Sequence, residues 1–380
     1  MKIGIIDADL LGRKRHRFPN LASMKIAGYY KELGNEVELL LSYDNLDKYD
    51  KVFISKVFTD TPIDEKVLEL DNVEYDGTGF YYDKATPLPY EIEHHMPYYD
   101  LYKDWVDDMI SKGCKKSEFF GYLHCSIGFM TRGCFRQCPF CVNRNYKKSI
   151  RHSHVQEFLD KNRRMIWLLD DNVFACADWK EIFEELNSVN KRFSFRQGMD
   201  ERLLTKEKCI TLLNSNHIND YIFAFDNIED REIIEKKLQL WNECSKDYNV
   251  HIVMFYTFCG FDRADKYDDD FWRQDIIDLF ERIKILMKYG CVPYIMRYKD
   301  YVNSPYRGTY INLARWCNQP SFFKKKSYRE FCEANQKAVK SKDKICATMQ
   351  YLIDIEKKFP DIADKYFDIK FEYKGEKLDE

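Results

Sequence analysis

Cys134, Cys138 and Cys141 stand at C-x3-C-x2-C spacing within the segment Thr131–Cys141, directly after the hydrophobic run Ser126–Met130. Thiolates are the usual ligands of a 4Fe-4S cube, and a cube held by three of them leaves one iron open to a ligand from outside the protein. Three cysteines in one tight loop suit that chemistry. Structural zinc wants a fourth Cys or His at close spacing. None follows before Arg151, and His152 and His154 stand further on as alternative ligands. Three thiols that merely pack or titrate are the other alternative, disfavoured by such a spacing on a loop that follows an apolar strand.

On these residues the chain resembles the radical S-adenosylmethionine superfamily, whose mark is C-x3-C-x-aromatic-C after a first barrel strand, the aromatic here being Phe140. The resemblance implies that Cys134, Cys138 and Cys141 hold the cluster. It implies that the amino and carboxylate groups of S-adenosylmethionine chelate the fourth iron, with the backbone at Phe140 against the adenine. One electron, from a donor such as flavodoxin or ferredoxin, would then split the sulfonium into methionine and a 5'-deoxyadenosyl radical that takes a substrate hydrogen.

Apolar runs alternate with helical patterns through the central chain, which argues for parallel strands joined by crossover helices. The strand candidates are Ser126–Met130, Met165–Leu169, Arg192–Phe195, Tyr221–Phe225, His251–Tyr256 and Val292–Arg297. Six such units match the partial (β/α)6 TIM-like barrel of the superfamily, in which chemistry sits at the carboxyl ends of the strands. After the second strand come Asp170, Asp171 and Asn172, where the resemblance implies contact with the cofactor's amino group. After the third, Arg196 or Arg202 could pair with its carboxylate and Gln197 with its ribose. Asp226 and Asn227 close the fourth. Any of these could instead cap a helix, as Asp and Asn at such junctions commonly do. Cys259, ending the fifth, reads as a small buried hydrophobe. Arg297, ending the sixth, suits a substrate carboxylate or phosphate, or else a structural ion pair.

The opening Lys2–Asp7 reads as a buried parallel strand. Asn20 caps a helix over Leu21–Leu33 that stops at Gly34-Asn35, and strands over Glu36–Leu41 and Asp50–Ser55 follow. This Rossmann-like α/β domain is similar to the cobalamin-binding type in front of many superfamily members. The chain lacks Asp-x-His-x-x-Gly, so no cobalamin is expected. Arg13, Lys14, Arg15, His16 and Arg17 follow the first strand, at the sheet edge where ligands bind. They would hold a phosphate or form a solvated loop, and Lys56, Thr59 and Asp60 share that edge. His94-His95 lies in a Tyr- and Pro-rich connector and reads as structural. The domain expectation is 1–75 Rossmann-like, 76–120 connector, 121–300 barrel, and 301–380 a mainly helical C-terminal extension. In that extension Arg315 and Trp316 would stack on a nucleobase or pack in the core, a helix would span Lys340–Lys358, an edge strand Phe367–Tyr373, and a tail the rest.

A chain of 380 residues suggests about two to three domains. No apolar run reaches the roughly 18 residues of a membrane span. Thirteen unevenly spaced cysteines fit reduced thiols and a cytoplasmic protein. Net charge of -3 gives no basic field for a large nucleic acid, so a small nucleotide or nucleoside substrate and no membrane partner are expected. The expected activity is that of a lyase. The alternatives are a radical methylthiotransferase or methyltransferase on RNA or protein, and a non-catalytic iron–sulfur sensor. The first of these needs a second three-cysteine cluster, which the remaining ten cysteines do not form.

Overall fold

A computed structural model describes residues 1–218, 220–339 and 344–371. The chain is a mixed α/β protein with parallel sheets, divided into two compact units, Met1–Arg196 and Gln197–Glu380.

The first unit opens with strands β1 (Lys2–Asp7), β2 (Glu36–Leu39), β3 (Lys51–Ser55) and β4 (Val73–Asp76), all parallel, in the order β2-β1-β3-β4. β1 is apolar on both faces because both are covered. Ile3 and Ile5 pack with Met24 and Ala27 of the helix Leu21–Glu32, whereas Ile6 packs with Val52 and Ile54. That helix starts where Asn20 accepts the Ser23 N–H at 3.1 Å. It stops at Gly34, whose φ of 78° lets the Gly34 and Asn35 amides return to the Lys31 and Tyr30 carbonyls. β4 escapes the sequence reading because its four residues lie in a stretch rich in Tyr and acids.

A second sheet in this unit holds β5 (Cys125–Gly128), and the chain then forms β6 (Thr131–Arg132), β7 (Ile150–Arg151), β8 (Met165–Leu168) and β9 (Arg192–Phe195). β5, β8 and β9 are parallel in that order, with the helix Trp179–Ser188 between β8 and β9. β6 and β7 form an antiparallel pair that closes the base of the cysteine loop.

The second unit carries β10 (Asp220–Ala224), β11 (Ile252–Cys259) and β12 (Val292–Arg297), again parallel and in sequence order. Met199 adds a parallel bridge to Phe223. Helices Arg231–Ser245 and Asp269–Lys288 connect the strands, and the chain ends in helices from Arg307–Cys317 to Pro360–Tyr366. Their core is aromatic: Trp272, Phe280, Trp316, Tyr328 and Tyr366 are all fully buried within one cluster. The expected edge strand is absent over 367–371. Phe367 lies buried against Phe280 and Tyr328 instead, so its ring serves the core. The rest of that expected strand, the tail at 372–380 and the start of the expected helix at 340–343 lie outside the described residues; that helix is Ala347–Lys358. Among the described residues no helix is long and apolar enough to cross a membrane.

Candidate metal centre

The cysteine loop runs from β6 to β7, and its entry has one backbone solution. Gly133 sits at φ 89°, and a Cβ there would lie 2.5 Å from the Lys148 carbonyl oxygen, so only glycine fits. Cys141 N–H closes a turn on the Cys138 carbonyl at 2.9 Å. Three side chains from the end of β8 then fix the loop. Asp170, buried, accepts the amides of Met130 (3.1 Å) and Thr131 (2.6 Å) and the Thr131 hydroxyl (2.7 Å). Asp171 accepts the Gly133 amide at 2.7 Å and the Asn143 side-chain amide at 2.5 Å. Asn172 donates its amide to the Cys134 sulfur at 3.3 Å.

The far side of the loop is pinned by the segment after β4. The Tyr82 hydroxyl donates to the Phe140 carbonyl. Arg144 bonds Asp83 at 2.6 Å and the Pro139 carbonyl at 3.2 Å, and Asn145 donates to the Asp83 carbonyl at 2.7 Å.

The sulfurs are prepared as acceptors. Besides Asn172, the Arg136 amide reaches Cys134 at 3.5 Å and the Asn143 amide reaches Cys141 at 3.3 Å. Such N–H···S bonds favour thiolate and tune the potential of a bound cluster. Burial pushes the Cys141 thiol up to about 11; the Asn143 amide opposes this, while Asp171, Cys138 and Cys134 raise it further. The Cys134 and Cys141 sulfurs already receive N–H donors, which suits thiolates that would hold a cationic cluster. Among the described residues no three His, Cys, Asp or Glu side chains converge on a single-ion position. Thiolates that bind three different irons of one cube need not converge so.

Burial pushes Asp170 up to about 6 against the opposing pull of Thr131 and Met130, and burial likewise raises Asp171, with Arg132 opposing. His152 bonds Glu93 at 2.9 Å, in a group with the buried Lys25, and His154 joins Arg151 and Glu185; both lie in networks of their own. His94 and His95 point apart, to Glu157 and to Glu32.

The other expected residues are placed as follows. Arg196, half-buried, lies over Trp167 at 4.8 Å, and Gln197 is exposed. Arg202 is clamped by Asp200 (2.7 Å) and Asp230 (2.6 Å). Asp226 accepts the Phe258 amide at 3.1 Å, and burial pushes it up to about 6 with Arg282 opposing. Asn227 caps the turn at Ile228–Asp230 by accepting the Glu229 amide. Arg282, unsuspected from sequence, is buried mid-helix and donates to the Phe225, Asp226 and Phe258 carbonyls at the ends of β10 and β11. Arg297 is exposed at the end of β12, over Tyr301 at 4.6 Å. Arg315 donates to Thr348 and Asn335, and Trp316 is fully buried, so this pair ties helices together instead of offering a stacking platform. Cys259 is buried and donates to the Met296 carbonyl at 3.5 Å. Lys56 is buried beneath Phe80, whereas Arg13, Arg15, Arg17 and Asp60 line one cavity.

No family model matches the chain. No curated protein matches it either. Among solved structures, it is similar to the cobalamin-dependent S-adenosylmethionine radical enzyme OxsB. With aqua-cobalamin and S-adenosylmethionine bound, that enzyme aligns at 12% identity and a TM-score of 0.35 over 96% of this chain and 56% of its own. The apo, selenomethionine-labelled form aligns at 12% identity and a TM-score of 0.40, over 94% and 61%. The chain therefore spans less than two thirds of that enzyme's length, and a likeness this distant assigns no activity.

Proposed function

We propose that this chain is a radical S-adenosylmethionine enzyme. The observation that carries the reading is the cysteine loop itself: Cys134, Cys138 and Cys141 on one short loop, two of the sulfurs already receiving N–H donors. Bound there, a 4Fe-4S cluster would supply the electron that cleaves S-adenosylmethionine to methionine and a hydrogen-abstracting 5'-deoxyadenosyl radical. The chain's own residues set the frame. Asp170 and Asp171 hold the loop backbone, Asn172 donates to a ligand sulfur, and Tyr82, Asp83 and Arg144 brace the segment around Phe140. Parallel strands β5, β8, β9 and β10, β11, β12, most of them separated by helices, support reading these strands as partial (β/α)6 barrel repeats. The order β2-β1-β3-β4 with the helix Leu21–Glu32 supports a Rossmann-like front domain.

The substrate we propose is a small phosphorylated nucleoside, and the reaction a lyase reaction: release of the 7-deazaguanine base queuine from queuosine 5'-phosphate. The basic loop Arg13–Arg17 and the modest net charge support a small phosphorylated substrate; the Arg315 segment no longer supports the base. Anaerobic, reconstituted and reduced protein is expected to form 5'-deoxyadenosine and free queuine together when given queuosine 5'-phosphate. Cofactor cleavage that ignores this nucleotide would remove the queuine assignment.

A further inference from the structure

Arg13–Arg17 and the turn after β3 enclose an open cavity of about 610 Å³, walled opposite the basic run by Phe58, Asp60 and Pro62. That volume is within the range of small-molecule sites. It lies beyond the carboxyl ends of the adjacent parallel strands β1 and β3, the edge where open α/β sheets take ligands.

The cavity wall is organised beyond what a solvated charge run requires. Arg13 is held in one pose, its guanidinium 4.3 Å from the Phe58 ring and its Nη1 2.6 Å from Asp60. Arg17 turns its Nη1 back to the Lys14 (3.1 Å) and His16 (2.7 Å) carbonyls, and the His16 amide closes on the Arg13 carbonyl at 2.8 Å, so the run is curled. His16 lies edge-on to Phe58 at 5.9 Å. Lys14 and Arg15 are exposed and have no carboxylate partner among the described residues. Four cations thus meet one carboxylate in the wall, with Glu118 3.7 Å from Arg17 as a second acid nearby. Asp9, buried close by, is occupied by the Val57 and Phe58 amides and the Thr61 hydroxyl. The Arg13 guanidinium, fixed before a ligand arrives, loses little freedom on binding, and the exposed Arg15 leaves its planar fork open to phosphate oxygens.

We infer that this cavity binds the phosphate of a small phosphomonoester, a sugar or nucleoside phosphate, with Arg13 and Arg15 as the anion's main partners. The site stands whether or not the cysteine loop carries a cluster; the substrate proposed above is one molecule of this class. Its test therefore needs neither iron nor reductant. Calorimetric titration of the full chain with ribose 5-phosphate, and with ribose as control, is expected to show binding of the phosphate ester alone, weakening as salt rises. Arg15→Glu, at an exposed position, is expected to weaken it at least tenfold without shifting thermal unfolding. Displacement by inorganic phosphate would identify the phosphate as the recognised group. The inference is overturned if ribose 5-phosphate fails to bind, if Arg15→Glu binds it as well as the parent does, or if the loop takes only an acidic protein and no phosphate.

Discussion

At the residue scale, the two neighbouring carboxylates Asp170 and Asp171 have a task the sequence suggests only by position. Both sit beyond β8, where the resemblance implies contact with a cofactor amine, yet their oxygens are engaged by the loop's own donors. Removing a buried acceptor orphans its donors, at about 1–3 kcal/mol for each group left unsatisfied. Asp170→Ala strands two amides and a hydroxyl and is expected to cost about 3 kcal/mol or more, read as a lower urea midpoint at unchanged slope; Asp170→Asn, which keeps one acceptor oxygen, is expected to lose less. Equal stability of Asp170→Ala and the parent would mean the carboxylate does not hold the strand end. The three cysteines were legible because their ligating pattern is local. Arg315 and Arg282 were not: an arginine beside aromatic residues reads alike whether it stacks on a base or ties helices, and a buried mid-helix arginine looks like a solvated one.

At the scale of elements, the strands were legible because each is an apolar run covered by helices on the sheet, and all six central ones begin within one residue of where the sequence puts them. Long-range partners left no such trace. Tyr82 reaches Phe140, and Asp83 reaches Arg144 across 61 residues, and only the topology brings them together. This brace clamps the loop without touching a sulfur, so its effect belongs to rigidity. Arg144 holds the Asp83 carboxyl below its ordinary value. Asp83→Ala combined with Tyr82→Phe is expected to leave the fold intact and still allow cluster assembly. The 400 nm absorbance of the reconstituted protein should then bleach several-fold faster under a chelator. Bleaching at the parent's rate would show that the brace is irrelevant to the site.

At the scale of the whole molecule, opposing buried acids shape the response to pH. Burial pushes Asp7 from 3.8 up to about 7, with the Tyr102 hydroxyl and the Leu10 amide opposing. The folded state therefore binds the proton more tightly than the unfolded chain, and the contribution of Asp7 to stability falls as pH rises from about 4 to about 7. Glu93 is the reverse case. Burial alone would raise it, but the His152 hydrogen bond and the Lys25 charge outweigh that and hold it at about 2, so its contribution is lost as pH falls below about 4.5. The stability of the parent minus that of Asp7→Asn, followed by urea unfolding, is expected to fall across pH 4 to 7 and level off above; a parent that gains on the variant as pH rises would contradict the burial of this acid. The central claim is chemical and concerns the loop. The most direct test is to reconstitute the full chain anaerobically with iron and sulfide, then measure iron per chain and 5'-deoxyadenosine formed from S-adenosylmethionine under dithionite. About four irons and reductant-dependent 5'-deoxyadenosine are predicted, both lost in Cys134→Ala, Cys138→Ala and Cys141→Ala. About eight irons, or a cluster and cleavage that survive loss of any one of these cysteines, would contradict it.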